Sequence, residues 1–140
     1  MSERTPPMTA TLEWDSELQF TGFAGKHEVS IDGSAEAAPN PMQMLALSLA
    51  GCMSSGLLHI LTRGRHDVRG LKVAFTGERA VDAPRRFVAV RLHFTLSGAM
   101  EPEHVERAVR LSRDKYCSVW NSLQRDIDLE VTYEIEAAEM

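Results

Sequence analysis

Cysteine is scarce in this 140-residue chain, which contains only Cys52 and Cys117, 65 positions apart. A separation of that size excludes the Cys-x-x-Cys patterns of zinc sites and thioredoxin-like proteins. The chain also lacks the phosphate-binding, dinucleotide-binding, zinc-protease and serine-hydrolase signatures. Its five histidines show no metal-ligand spacing. We therefore expect no metal site.

Positive charge is in deficit, with a net charge of −5 and an isoelectric point near 5.5. This balance argues against nucleic acid as a partner, because phosphate binding needs clustered lysine and arginine. Residues 1–8 have no apolar stretch after their charges, so they do not resemble a signal peptide and are predicted to form a disordered tail. We expect a cytoplasmic protein, in which reducing conditions favour free thiols over structural disulfides.

Long apolar runs are also rare, and the chain has one, over residues 42–61. About 20 apolar residues could span a bilayer, but this run contains glutamine, serine and histidine, which favours a buried helix and no membrane association. Asn40 is a good N-cap and Pro41 suits the first helical position. Gly64 marks the end. We predict a helix over 41–63 that is buried on most sides.

The rest of the chain contains the alternating apolar patterns that are typical of strands. Strands are predicted at 9–14, 17–23, 26–31, 68–79, 86–97 and 127–135, and further helices from about 101 and over 116–123. The order β-β-β-α-β-β-α-α-β predicts an α+β fold, with antiparallel sheets wrapped around the long helix. We expect one domain over residues 9–140.

Cys52 falls in the middle of the predicted long helix. Free cysteine is among the most buried residue types, so an inert structural role is one interpretation. A reactive thiolate at this place would need a charged neighbour from elsewhere, because the helix N-terminus is distant. The residues around it are small: Ser48, Ala50, Gly51, Ser54, Ser55 and Gly56. They would allow close approach, either by a helix across a dimer interface or by the chain's own sheet.

Cys117 follows Arg113 and Lys115, near the end of a predicted helix. Positive neighbours lower a thiol pKa, whereas a helix C-terminus opposes that effect, so the direction stays open. A cysteine–histidine pair is the other chemistry to consider. His59 is two helical turns after Cys52, about 10.5 Å along the axis, which is too far for a direct hydrogen bond.

Two segments resemble the signatures of the OsmC/Ohr family. The first is residues 39–52, Pro-Asn-Pro-Met-Gln-Met-Leu-Ala-Leu-Ser-Leu-Ala-Gly-Cys, and the second is residues 116–119, Tyr-Cys-Ser-Val, after a glutamate-rich helix. The order of elements and the cysteine spacing also match, so the resemblance covers nearly the whole chain from about residue 9. The form of the first segment is closer to the broad OsmC-like branch than to the dedicated organic hydroperoxide resistance enzymes.

The resemblance implies two sheets around central helices in an intertwined homodimer, with sites at the interface. It implies a thiol-dependent peroxidase that acts in oxidative stress defence, with Cys52 as the peroxidatic cysteine and Cys117 as the resolving cysteine. The substrate would be an organic hydroperoxide and the reductant a thiol or dithiol. Neither a metal nor a flavin is required, so no cofactor is expected.

Two departures from the family pattern leave other functions open. The family often has a glutamate near the start of the long helix, paired with an arginine, where this chain has Gln43, which cannot hold a charge pair. The early strands offer only Lys26 as a cation, and further candidates by fold are Arg79, Arg85 and Arg91. A non-catalytic relative that binds an apolar ligand or senses redox state is one alternative. A structural protein with an inert Cys52 is another.

Overall fold

A computed structural model describes residues 3–137 of the chain. Contacts divide the chain into two compact units, residues 1–45 and 46–140. The predicted α+β class is confirmed, and so is the predicted order of elements except for the helix over 116–123. The elements are β1 (Ala10–Ser16), β2 (Gln19–Ala24), β3 (His27–Asp32), α1 (Pro41–Arg63), β4 (Asp67–Arg79), β5 (Phe87–Ala99), α2 (Pro102–Leu111) and β6 (Asp128–Glu136).

The ends of the chain are only partly described. The predicted tail over residues 1–8 begins outside the described residues, and its residues 3–8 are exposed and have no regular secondary structure. Residues 138–140 also lie outside them. The single domain over 9–140 stays a prediction.

The N-terminal unit contains the predicted antiparallel meander, in the order β1-β2-β3. Leu12 pairs with Gly22, which in turn pairs with Val29, so these residues cross one face of the sheet in a row. Large apolar side chains remain exposed on the sheet, among them Leu12 at 54% and Trp14 at 68%. Part of this sheet is therefore apolar and exposed within one chain.

The loop between β3 and α1 is organised by the buried carboxylate of Asp32. It accepts hydrogen bonds from the Ser34 backbone N–H at 2.9 Å, the Ser34 hydroxyl at 2.7 Å and the Ala37 N–H at 2.9 Å. The Ala37 and Ser34 hydrogen bonds hold the pKa of Asp32 below its usual range, because each stabilises the ionised form.

Helix α1 has the predicted bounds, but within one chain its burial is narrower than expected. The buried residues form a single stripe: Leu49, Ala50, Met53, Leu57 and Leu61. Other apolar side chains are left outside, and Leu47 is 62% exposed. Of the helices within residues 3–137, only α1 is long and apolar enough to cross a membrane, a test that core helices of soluble proteins also pass.

The C-terminal unit is built on the sheet β4-β5-β6. Strands β4 and β5 are antiparallel, as predicted, but β6 is parallel to β5. The parallel pairing follows from the path of the chain, which crosses over through α2 before it enters β6. Alternate residues of β5 supply the centre of the core: Val90, Leu92, Phe94 and Leu96. They pack with the buried stripe of α1 and the apolar face of α2.

The predicted short helix over 116–123 is wrong. A π-helical turn covers Ser112–Tyr116, Cys117 has an extended backbone, and a 3-10 turn covers Trp120–Ser122. The wide turn forms because the Cys117 N–H bonds to the Ser112 carbonyl, five residues back, at 2.7 Å.

Candidate functional site

The structure brings the two cysteines together in the C-terminal unit. Cys52 lies on α1 beside its buried stripe and is partly buried, whereas Cys117 is 1% exposed. Both are free thiols in or against the same apolar core, and Cys52 influences the pKa of Cys117, so the two side chains are near each other. Two neighbouring thiols can pass two electrons between dithiol and disulfide forms.

Local geometry explains how residues so distant in sequence meet. The stripe of α1 that contains Met53 packs into the same core as the end of α2. The π-helical turn contains one residue more than an α-helical turn would, and it directs Cys117 into that core. The arrangement thus depends on helix packing on one side and on an unusual turn on the other.

Burial is the main influence on Cys117. It raises the pKa of the Cys117 thiol, and the hydrogen bond and charge of Cys52 raise it further, to about 11. The Trp120 N–H, which donates to Cys117 Sγ at 3.4 Å, opposes this rise only in part. Cys117 is therefore a neutral thiol near pH 7, which answers the question of direction that the sequence left open.

The two cations that lie near Cys117 in sequence, Arg113 and Lys115, interact with other side chains. Arg113 Nε donates to the Asp114 carboxylate at 2.7 Å. The Lys115 ammonium lies over the Tyr116 ring, 5.4 Å from its centroid. Their charges are thus directed to neighbouring side chains.

Gln43, at the place of the family glutamate, takes part in a capping box at the start of α1. The Gln43 N–H donates to Asn40 Oδ1 at 2.8 Å, and the Asn40 N–H donates to Gln43 Oε1 at 2.9 Å. Both bonds satisfy backbone donors that a helix N-terminus leaves free. The side chain therefore has a structural role in the N-terminal unit.

Two of the arginines named as candidate activating cations, Arg79 and Arg91, have other partners. Arg79 Nε donates to the Arg85 carbonyl at 2.7 Å, and Arg91 Nε pairs with Glu130 at 3.1 Å. Lys26 is an exposed residue in the turn between β2 and β3. None of these contacts joins a cation to Cys52.

The small residues near Cys52 have two different surroundings. At Gly56, a Cβ atom would lie 2.5 Å from Ser112 Oγ, so the same chain makes the close approach there. At Gly51, a Cβ atom would have no neighbour within 4 Å. The close packing predicted from sequence is thus intramolecular at Gly56, and the surface at Gly51 is open.

The histidines lie in separate places. His59 is exposed on α1. His93 Nδ1 is 2.7 Å from Thr132 Oγ1, and the rings of His66 and His104 pack at a tilt of 43° with centroids 4.7 Å apart. Within residues 3–137, no group of three histidine, cysteine or acidic side chains is placed to hold a metal ion.

Sequence reasoning missed three residues around Cys117. Ser112 is fully buried, Trp120 supplies the N–H to the sulfur, and Asn121 Nδ2 donates to the Cys117 carbonyl at 2.8 Å. The signal for Ser112 was its partner, since Gly56 had been recognised as a point of close approach. Trp120 and Asn121 gave none, because their contacts arise from the turns.

Comparisons with known proteins find relatives along nearly the whole chain. A profile described as OsmC-like protein matches residues 31–132. Protein YhfA of Escherichia coli strain K12 is 39% identical over 134 residues, 94% of this chain and 100% of the relative. A hypothetical protein from Aquifex aeolicus VF5 has a TM-score of 0.89 and 27% identity, over 96% of this chain and 100% of that one.

A more distant structure shares the fold alone. The organic hydroperoxide resistance protein OhrB of Bacillus subtilis has a TM-score of 0.63 and 14% identity, over 91% of this chain and 98% of that one. With the profile matching most of its length and YhfA aligned along nearly all of it, the chain belongs to the OsmC-like family.

Proposed function

We propose that the protein is a thiol-dependent peroxidase that reduces organic hydroperoxides. The observation that carries the proposal is the proximity of two free thiols, Cys117 in the core of the C-terminal unit and Cys52 packed against that core. Their different exposure supports a division of roles. The partly buried Cys52 meets the peroxide, and the buried, neutral Cys117 resolves the product.

The chemistry takes two steps before reduction. The Cys52 thiolate attacks the terminal oxygen of the hydroperoxide, the O–O bond breaks, and the alkoxide takes a proton and leaves as an alcohol. Cys52 is then a sulfenic acid. The Cys117 sulfur attacks it, a disulfide forms, and the lost hydroxyl leaves with the Cys117 proton as water. A dithiol reductant supplies two electrons and two protons and restores both thiols.

An organic substrate fits the surroundings better than hydrogen peroxide. Cys52 packs against an apolar core that includes Met53 and Leu57, and Trp120 packs against the same core. Apolar walls favour a hydroperoxide with an alkyl or aryl group. The shared fold with an organic hydroperoxide resistance protein supports the same class.

A homodimer in the cytoplasm is part of the proposal. Leu47 on α1 and Trp14 on β1 are exposed large apolar residues, and a second copy of the chain would cover such surfaces. A second copy could also bring a cation to Cys52, which the contacts within one chain do not provide. A reducing compartment keeps the dithiol available between turnovers.

Intact mass under non-reducing conditions tests the catalytic pair. One equivalent of cumene hydroperoxide should remove two hydrogens within the mixing time, and peptide mapping should find a Cys52–Cys117 bridge. Cys52→Ser should abolish peroxide consumption. In Cys117→Ser, Cys52 should stay as the sulfenic acid because no thiol resolves it, and further peroxide should then over-oxidise it. Single variants that consume peroxide as fast as the parent chain would sink the proposal.

A second candidate function is the binding of an apolar ligand without catalysis. A cavity of about 280 Å³ in the N-terminal unit is lined by mainly apolar residues, among them Leu12, Phe23, Ile31 and Met44. Titration with a fluorescent fatty acid tests this candidate. Tight binding together with no peroxide-dependent disulfide would favour it over the peroxidase.

A further inference from the structure

Ser112 connects the two backbone segments that hold the thiols. Its hydroxyl donates a hydrogen bond to the Met53 carbonyl at 2.7 Å, and Met53 is the residue directly after Cys52. Its own carbonyl accepts the Cys117 N–H, also at 2.7 Å. One residue is thus bonded next to Cys52 on α1 and to Cys117 at the end of the π-helical turn.

The bond to Met53 is not the usual one for a helical serine. Serine hydroxyls in helices ordinarily bond to the carbonyl one turn back in the same helix, as Ser55 does with Gly51 in α1 at 2.8 Å. Ser112 reaches a carbonyl 59 positions away. Because the side chain is fully buried, its hydroxyl depends on this one partner for satisfaction.

Gly56 provides the space for this hydroxyl. A Cβ atom at position 56 would lie 2.5 Å from Ser112 Oγ and 3.3 Å from Ser112 Cβ. Any side chain there would displace the hydroxyl and separate α1 from the π-helical turn. Gly56 and Ser112 therefore form a fitted contact one turn along the helix from Cys52.

We propose that Ser112 is a positioning residue that sets the separation of the two thiols, and thereby the equilibrium for closing the Cys52–Cys117 disulfide. The inference rests on the proposed function only in requiring that this disulfide forms. A disulfide requires a narrow range of distances and dihedral angles. Two thiols that are held outside this range form the disulfide less favourably.

Equilibration with oxidised and reduced dithiothreitol tests the inference without peroxide. Cys52 attacks the reagent's disulfide, Cys117 then attacks the mixed disulfide, and reduced dithiothreitol leaves with the two protons. The parent chain should reach a definite protein-disulfide fraction, read by mass after acid quenching. Ser112→Ala should lower the equilibrium constant for closure by about five- to tenfold, because the two thiols are no longer held near the narrow geometry of a disulfide.

Two further variants keep the test falsifiable. Gly56→Ala retains Ser112 and both cysteines but displaces the hydroxyl, so it should lower the constant in the same direction. In the presence of Ser112→Ala it should add little, because the hydroxyl is already absent. Ser122→Ala is the matched control, since it removes an exposed serine hydroxyl five residues after Cys117, and it should leave the constant unchanged.

Urea unfolding of the reduced and oxidised forms separates positioning from a general loss of stability. A merely structural role would lower the stability of both forms equally and leave the equilibrium with dithiothreitol unmoved. Constants within twofold of the parent value for both Ser112→Ala and Gly56→Ala would overturn the inference and leave the peroxidase proposal standing. A parent chain that forms no Cys52–Cys117 disulfide with either oxidised dithiothreitol or cumene hydroperoxide would overturn both.

Discussion

The Trp120 backbone N–H donates a hydrogen bond to Cys117 Sγ at 3.4 Å. Trp120 begins the 3-10 turn that follows the cysteine, so the turn that ends this segment also holds its sulfur. The bond stabilises a thiolate, yet burial outweighs it and the pKa of Cys117 still rises to about 11. Cys117 is therefore fixed in position and kept protonated.

The raised pKa of Cys117 predicts a loss of stability in alkaline solution. The thiol titrates near 9.0 when it is free and near 11 in the folded protein. Between those values the folded state binds more protons than the unfolded state, so stability is full below pH 9 and falls as the pH rises toward 11. The loss should reach roughly 2 to 3 kcal/mol. Urea unfolding of the reduced protein from pH 8 upward measures it.

Cys117→Ala is the control for this alkaline effect. It removes the titrating thiol, so its stability should change less between the same two pH values, even if its stability at pH 8 is lower. Parallel curves for the parent chain and the variant would contradict the assignment.

The capping box predicts that Gln43→Glu preserves the start of α1. Glutamate accepts the Asn40 N–H as glutamine does, and its charge interacts favourably with the helix N-terminus. The variant should match the parent chain or exceed its stability by up to about 0.5 kcal/mol. Gln43→Ala loses the acceptor and should be destabilised by about 0.5 to 1 kcal/mol. Urea unfolding at pH 7 ranks them, and a Gln43→Glu variant less stable than Gln43→Ala would refute the role.

The carboxylate of Asp32 predicts a local effect in the loop before α1. Asp32→Asn keeps the shape but replaces one acceptor oxygen by a donor, so the bonds from Ser34 and Ala37 cannot all be kept. The amides of Ser34 and Ala37 should exchange with solvent faster than in the parent chain. The pKa of Asp32 is lowered in the folded protein, so the carboxylate is protonated only when the pH falls through this lowered pKa. In that range the Ser34 and Ala37 amides of the parent chain should also lose protection from exchange.

Asp15→Asn is a suitable control for the Asp32 experiment. Asp15 is an exposed acidic residue of β1 that accepts one hydrogen bond, from the Thr21 hydroxyl at 2.7 Å. Its replacement should leave the exchange of the Ser34 and Ala37 amides unchanged. Equal exchange in the parent chain and Asp32→Asn would show that the carboxylate does not organise the loop.

The exposed face of α1 predicts a change of assembly on mutation of Leu47. If a second copy covers this face, the parent chain should sediment as a dimer at micromolar concentration. Leu47→Glu would bury a charge in that interface and should shift the protein to monomer by at least tenfold in the dissociation constant. Val81→Glu replaces another exposed apolar residue, in the loop after β4, and serves as control. A monomeric parent chain would contradict the dimer.

Local signals predicted the fold well, and tertiary contacts account for what they missed. Asn40 and Pro41 placed the start of α1 at the observed residue because capping depends on a few neighbouring atoms. The direction of β6 depends on the path of the crossover through α2, which no local pattern contains. The backbone at Cys117 likewise depends on the burial of Ser112, a contact with a distant helix.

The site follows the same division. The two cysteines could be chosen from sequence by their rarity, and their pairing could be predicted only from the family resemblance, because no local pattern brings positions 52 and 117 together. The pKa of Cys117 had two opposing local arguments, the nearby cations and the helix end. Neither decided it, because burial is a property of the folded core and the cations turned to Asp114 and Tyr116.

The position of the Cys117 thiol depends on the number of residues in the π-helical turn. The five residues Ser112–Tyr116 form one turn where an α-helix would need fewer, and the extra residue brings the thiol to the side of α1. Deletion of one residue would restore ordinary winding and swing the cysteine by roughly 100° around the axis. The segment between Leu111 and Cys117 is thus a spacer of fixed length, which tolerates new side chains at its exposed positions far better than it tolerates a shorter chain.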